Sequence, residues 1–505
     1  MAEEREKAEG KADAEGDAKA DTAAKGGPAK EDKKEKRCML GIEPVETEHE
    51  VSLRDGKIKY VARAGVLPLK DEFGETEAEI YFTAYERTDV QDRAKRPLTF
   101  TFNGGPGSSS IWLHMGAVGP KRVRMQPEGW MPAPPFECED NVDTWLSDTD
   151  LVFIDPVGTG FSRAAKPDLD KKFWSYEGDI QSVGEFIRLY LTRYERWHSP
   201  LFLAGESYGT TRAAALSGHL IDKGIAFNGI SLISTALDLS HIVFFPANDL
   251  PYQLFVPTYA AAAWHHGKLA DKYQAMDLAV FVNEVKAWAQ GELTTALMEG
   301  DEISEKTKAK VARQLAAYTG LDKEYVLGSN LRVEIFRFCK ELLREERRSI
   351  GRFDARFKGV EGLAVTERPE FDPSGCAITP PYTSVFNRYV RSELGIETDL
   401  PYELLNGKIN RSWEWEKAKL PTTGEILRSA MAKNPFMKVF VSQGYYDLAT
   451  PLMATEYVFT HMNVDEKLRA NISMKNYKGG HMFYLDVASL AEFRKDVGAF
   501  YKDAC

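Results

Sequence analysis

Beginning near residue 48, apolar and polar side chains alternate in short runs: Val51-Ser52-Leu53, Lys57-Ile58-Lys59-Tyr60-Val61 and Ala78-Glu79-Ile80-Tyr81-Phe82-Thr83. A period of two predicts strands, and Asp55-Gly56 between the first two runs predicts a hairpin. These strands are expected to form the antiparallel edge of a larger sheet. Leu98-Thr99-Phe100-Thr101-Phe102 and Leu151-Val152-Phe153-Ile154 are compact apolar runs that predict buried strands. Between 177 and 197 the apolar positions Ile180, Val183, Phe186, Ile187, Tyr190, Leu191 and Tyr194 recur at helical spacing. A strand at Leu201-Phe202-Leu203, a glycine-bounded turn at 205–209, an alanine-rich helix to Leu220 and a strand at 230–233 follow. Strand, turn, helix, strand is the rhythm of a parallel α/β sheet.

The rhythm changes at about 240. From there to about 434 the chain reads as mainly helical, with amphipathic stretches at 273–289 and 306–318, and the strand signal returns at 438–441 and 472–477 before a closing helix at 487–501. An interval of that length is too long for a loop. The expected organisation is therefore a charged tail (1–37), a first core segment (38–239), a mainly helical cap insertion (240–434) and a second core segment (435–505). No internal repeat is visible.

Composition narrows the classes of function. With 43% hydrophobic and 11% aromatic residues, the bulk of the 505-residue chain has enough apolar mass for a large core. The exception is 1–37, which lacks Val, Ile, Leu, Phe, Tyr and Trp and holds 11 acidic and 10 basic residues, a composition expected to stay disordered. Sixty-five basic against 76 acidic residues give a net charge of −11, which disfavours nucleic acid as a partner. No apolar stretch is long enough to predict a transmembrane segment, and the tail has no apolar signal-like region. The five cysteines are scattered and form no CxxC pair, which suits neither a zinc set nor a disulfide framework and favours a reducing, cytoplasmic location. Oligomeric state has no signal in the sequence.

Gly205-Glu206-Ser207-Tyr208-Gly209 matches G-x-S-x-G between a predicted strand and a predicted helix, the setting of a nucleophile elbow. A serine hydroxyl needs a base, and the base needs a carboxylate to orient it. In the α/β-hydrolase order of serine, acid and histidine, Asp447 and His481 stand after the two late strands. The remaining histidines are weaker candidates: His265-His266 fall on a cap helix, His114 lies near a glycine-rich loop, and no HExxH suggests zinc. The loop from Asn103 through Gly104-Gly105-Pro106-Gly107 to Ser110 ends another strand, so its N–H groups can face a developing oxyanion, with a second donor from Tyr208. It lacks the Gly-Lys-Ser/Thr ending of a phosphate loop. No metal or organic cofactor is implied.

The segments 103–110, Asp155-Pro156-Val157-Gly158-Thr159-Gly160-Phe161-Ser162, 205–209, 444–447 and Gly480-His481-Met482 together resemble the ordered motifs of the serine carboxypeptidases of peptidase family S10, in a bacterial-type form. The resemblance implies an α/β-hydrolase fold: a mostly parallel central sheet, antiparallel N-terminal strands and a large helical cap. It also implies release of C-terminal amino acids from peptides bearing a free C-terminal carboxylate. Ser207, Asp447 and His481 would be the triad, Gly105 and Tyr208 the oxyanion hole, and Asn103, Gly104 and Glu206 the holders of the substrate carboxylate. Alternatives are an esterase or acyl-transferring hydrolase with the same triad, and a non-catalytic binding protein.

Three positions depart from the family pattern. Ala117 stands where a second glutamate usually pairs with the one before the nucleophile, so Glu206 is expected to ionise more readily, carboxylate recognition to be weakened or supplied by another residue, and the pH optimum to move toward neutrality. Ser108 replaces a disulfide cysteine. No Gln separates Asp155 from Pro156.

Overall fold

The computed structural model describes residues 37–54, 56–415 and 422–505. The predicted disordered tail thus lies outside the described residues except for Arg37, and Asp55 of the predicted turn lies outside them too. Arg37 belongs to the folded body rather than to a loose tail, because its guanidinium donates two 2.6 Å hydrogen bonds to the Asp170 carboxylate.

One sheet organises the molecule. Its strands are β1 (Val45–Leu53), β2 (Gly56–Lys70), β3 (Thr76–Arg87), β4 (Leu98–Phe102), β5 (Asp150–Ile154), β6 (Leu201–Ser207), β7 (Gly229–Thr235), β8 (Lys438–Gly444) and β9 (Ile472–Tyr477). They lie in the order β1-β2-β3-β5-β4-β6-β7-β8-β9, and a short strand at Arg163–Ala164 pairs with β3. β1, β2 and β3 are antiparallel and β3 meets β5 antiparallel. From β5 onward every pairing is parallel. β1 to β3 are longer than the short alternating runs suggest, because polar residues such as Glu48 and Arg63 continue the ladder beyond them.

The central strands are buried on both sides, as parallel strands are when helices cover both faces. Leu98, Phe100 and Phe102 of β4 point into one core with Val152 and Ile154 of β5, while Leu151 and Phe153 point into the other. Each such side chain removed from water contributes about 1.5–3 kcal/mol. The longer helices are α1 (Tyr176–Arg193), α2 (Tyr208–Ile221), α3 (Val256–His265), α4 (Leu278–Trp288), α5 (Glu305–Thr319), α6 (Pro373–Ser392), α7 (Thr423–Lys433) and α8 (Val487–Ala504). α1, α2 and α7 cover the first face. α6 and α8 cover the second.

The region 240–434 therefore does not form one cap. Residues from Leu254 to Ala355 build a separate helical core around Tyr259, Phe281, Val285, Leu315 and Phe338. α6 instead buries Tyr382, Phe386 and Tyr389 against the sheet, and α7 buries Leu427 and Met431 beneath the opposite face. Their apolar stripes match the sheet better than the cap. The single helix predicted at 273–289 is also interrupted: Asp277 accepts hydrogen bonds from the N–H groups of Ala279 and Val280 and so starts α4 afresh. Among the described residues, no helix is long and apolar enough to cross a membrane.

Candidate active site

β6 ends and α2 begins without a linker, and the residue at the junction is Ser207, at φ 61° and ψ −130°. A non-glycine residue held there stores about 1–3 kcal/mol of backbone strain, so the surroundings must impose it. They do so through contacts that leave no room for side chains. A Cβ on Gly205 would stand 2.2 Å from the Gly209 carbonyl oxygen, and one on Gly209 would stand 2.8 Å from the Phe102 carbonyl oxygen. The loop after β4 presses on the same turn, since a Cβ on Gly104 would lie 2.4 Å from the Tyr208 nitrogen. Arg212, one turn into α2, locks the two together: its guanidinium donates to the Asn103 carbonyl at 2.7 Å and to buried Asp179 at 2.8 Å.

Asp447 and His481 follow β8 and β9. His481 Nδ1 lies 2.8 Å from Asp447 Oδ2. The carboxylate is fully occupied: Oδ1 accepts from the N–H groups of Ala449 (2.7 Å) and Thr450 (2.9 Å), and Oδ2 also accepts from the Thr450 hydroxyl at 2.7 Å. Burial pulls the His481 pKa down, but neighbouring Asp447 and Glu206 outweigh it and hold the imidazole above its ordinary value. The histidine loop is clamped from the cap side. The Phe353 carbonyl accepts the His481 N–H, and the Asp354 carboxylate, paired with Arg356, accepts the Gly480 N–H at 2.9 Å.

Ser207 and His481 line one cavity of about 520 Å³, a volume suited to a small ligand or a peptide end. No hydrogen bond joins the two side chains among the described residues. The shared cavity and the Asp447 pair make His481 the candidate base, and such bonds commonly tighten only around substrate. Tyr208 is the first residue of α2, so its N–H has no acceptor inside the helix. Gly105 lines the same wall at φ 104°.

Glu206 is almost wholly buried beside the nucleophile. Its Oε2 accepts hydrogen bonds from Asn103 Nδ2 and from the Tyr484 hydroxyl, each 2.7 Å long. Burial pushes its pKa up to about 7, against the pull of the His481 charge and of those two donors. Ala117 is a core residue without exposure, and exclusion of water raises the Glu206 pKa without a second carboxyl. With both donors on Oε2, the neutral acid carries its proton on Oε1.

Asn103, Gly104, Gly105, Glu206, Ser207, Tyr208 and His481 all line the cavity, and Asp447 stands behind His481 with no exposure. His114 is elsewhere, stacked on Phe153 with its Nε2 2.6 Å from the Tyr85 hydroxyl, a core histidine. His266 bonds the Ala355 carbonyl at 2.7 Å. Sequence reasoning missed Tyr484, Thr450, Asp354, Arg352 and Arg411. Of these only Tyr484 and Thr450, each three residues from a predicted triad residue, offered a positional clue. Among the described residues no group of three or more His, Cys, Asp or Glu is placed to hold a metal ion.

A family model described as serine carboxypeptidase matches residues 62–487. Pheromone-processing carboxypeptidase KEX1 of Saccharomyces cerevisiae is 32% identical over 158 residues, 29% of this chain and 20% of that protein. Serine carboxypeptidase-like 13 of Arabidopsis thaliana is 27% identical over 157 residues, 30% of this chain and 34% of that protein. The matched stretch spans about a fifth to a third of the length of these relatives. Among solved structures, the prohormone-processing carboxypeptidase Kex1(Δ)p from Saccharomyces cerevisiae superimposes with a TM-score of 0.56 at 17% identity, covering 88% of this chain and 91% of that one, a likeness of fold.

Proposed function

Because the chain belongs to the serine carboxypeptidase family, we propose that it releases single amino acids from peptide C-termini through an acyl-enzyme on Ser207. The observation that carries this reading is Glu206, a buried acid holding its proton up to about 7 in the wall that also holds the nucleophile. A proton on Oε1 can be donated to a substrate carboxylate, which a charged glutamate would repel.

In this reading Ser207 Oγ attacks the last peptide carbonyl while its proton passes to His481 Nε2, and Asp447 holds the Nδ1 proton. The N–H groups of Gly105 and Tyr208 receive the oxyanion. His481 then protonates the departing amine, and water, activated by the same ring, cleaves the ester. Asn103, the Gly104 N–H and neutral Glu206 hold the α-carboxylate of the leaving residue. A blocked dipeptide with a free C-terminus is expected to be hydrolysed at least tenfold, and up to about 100-fold, faster than its C-terminal amide, the range lost when buried polar partners go unpaired. Equal rates on acid and amide, or turnover of simple esters alone, would support the esterase reading instead.

The pH dependence follows from the same proton. A carboxyl raised from its ordinary 4.5 to about 7 keeps in the folded protein a proton that the unfolded chain releases across that window, so its contribution to folding stability falls as pH rises through it. Binding follows the same sign. Above about pH 7 two carboxylates face each other, and KM for free-acid peptides should rise by up to about tenfold per pH unit. The acid limb comes from His481, which must be neutral to act as base. In Glu206→Gln an amide N–H donates at every pH, so the alkaline rise in KM should vanish. A wild-type KM that stays flat from pH 6 to 9 is incompatible with this role.

A further inference from the structure

Two arginines, Arg352 and Arg411, line the cavity around Ser207, and the steps above give neither a task. The other ionisable residues in its wall are His481, Glu206 and Tyr208, whose phenol stays neutral because burial raises its pKa. The wall therefore presents two fixed positive charges and no fixed negative one at neutral pH, inside a protein whose net charge is −11. Neither guanidinium forms an ion pair among the described residues. Arg352 is half-buried, and its guanidinium lies over the ring of Phe353 at 5.4 Å.

The two arginines belong to different segments of the cavity wall. The backbone of Arg352 and Phe353 is pinned to the start of α6 by Asp372 and by the Ser374 hydroxyl, and the Phe353 ring lies 5.3 Å from the His481 ring. α6 lines the cavity with Ile378 and Thr379, and its buried Tyr382 lies near the Glu206 carboxyl. In the carboxypeptidase reading the leaving residue lies on the Glu206 side, against this wall. Arg411 follows Asn410, whose side-chain amide donates to the Pro106 carbonyl at 3.4 Å, next to Gly105 on the oxyanion side.

We infer that Arg352 is a specificity-determining residue that selects an acidic side chain on the amino acid the enzyme releases. A carboxylate there gains a charge-assisted hydrogen bond to a guanidinium that forms no ion pair among the described residues and is partly shielded from water. Glutamine, the same size without the charge, gains less, and lysine is repelled. Arg411, an exposed residue beside Asn410, is assigned no part in this selection.

The inference rests on the carboxypeptidase reading, and the experiment separates the two. Blocked dipeptides with a common first residue and Glu, Gln, Leu or Lys at the C-terminus are compared by kcat/KM. The wild-type protein is expected to favour Glu over Gln by about 10- to 100-fold. Arg352→Gln should bring that ratio close to one whatever it does to the absolute rates, and Arg352→Lys should restore part of it. Arg411→Gln should keep the ratio. Hydrolysis of Gln and Leu peptides without a preference for Glu, or equal loss in the Arg352 and Arg411 variants, overturns the inference alone. Release of nothing from any of the four peptides overturns the carboxypeptidase reading and the inference with it.

Discussion

A Ser207→Ala protein is expected to lose about six orders of magnitude in kcat on a blocked dipeptide and to lose all labelling by a fluorophosphonate probe, while its unfolding midpoint stays within a few degrees of wild type. The size of the effect follows from the division of labour in the cavity. Without Oγ no acyl-enzyme can form, and what remains is attack by water assisted by two oxyanion donors and substrate binding, worth about 10³–10⁴ over the uncatalysed reaction. The small structural cost follows from the elbow. Gly205, Gly209 and Gly104 impose the positive φ at position 207 by close backbone contact, and alanine occupies the same space with the same strain. Both measurements are needed, since a drop in rate accompanied by a large fall in midpoint would point to a structural role for the hydroxyl. Retention of more than about one per cent of the activity would exclude Ser207 as the nucleophile.

The elbow and its two partners were legible in the sequence because each follows a strand signal, a continuous apolar run in β6 and β8 and an alternating one, Ile-Ser-Met-Lys-Asn-Tyr, in β9. β4, β6, β8 and β9 could be placed from their side chains, and the order of the loops that follow them identified Asn103, Ser207, Asp447 and His481. The hold of the cap on the histidine loop was not legible. Asp354 meets Gly480 across 126 residues of chain, through one hydrogen bond and no shared motif. Arg352 and Arg411 were hidden for the same reason, since a charged residue in an insertion reads as a solvated surface until packing shows what it lines. The limits of the cap were misread on different grounds. α6 lies in sequence between the nucleophile and the acid, and periodicity reveals that Tyr382, Phe386 and Tyr389 share a face without revealing which surface that face meets. At Glu206 the missing second carboxyl is visible in the sequence as Ala117, whereas the exclusion of water that raises its pKa is visible only in the fold.

Replacing Asp447 by asparagine is expected to lower kcat/KM by about 10⁴ with little change in KM or stability. The direction in which the amide settles decides this. Oδ1 is held by two backbone donors, Ala449 and Thr450, so the asparagine carbonyl takes that site and the NH₂ group takes the place of Oδ2. There it faces His481 Nδ1 at hydrogen-bond distance and donates to it, which moves the imidazole proton to Nε2. An imidazole protonated at Nε2 cannot accept the proton of Ser207, and it has lost the negative charge that stabilises the imidazolium in the transition state. The Thr450 hydroxyl can turn and accept from the new NH₂, so the buried site stays satisfied and the fold is preserved. The same loss of charge should lower the pKa of His481, because Asp447 is the main influence holding it up against burial. The acid limb of kcat/KM should therefore shift to lower pH in the variant. A loss smaller than tenfold, or an acid limb that does not move, would mean that Asp447 neither orients nor charges the ring.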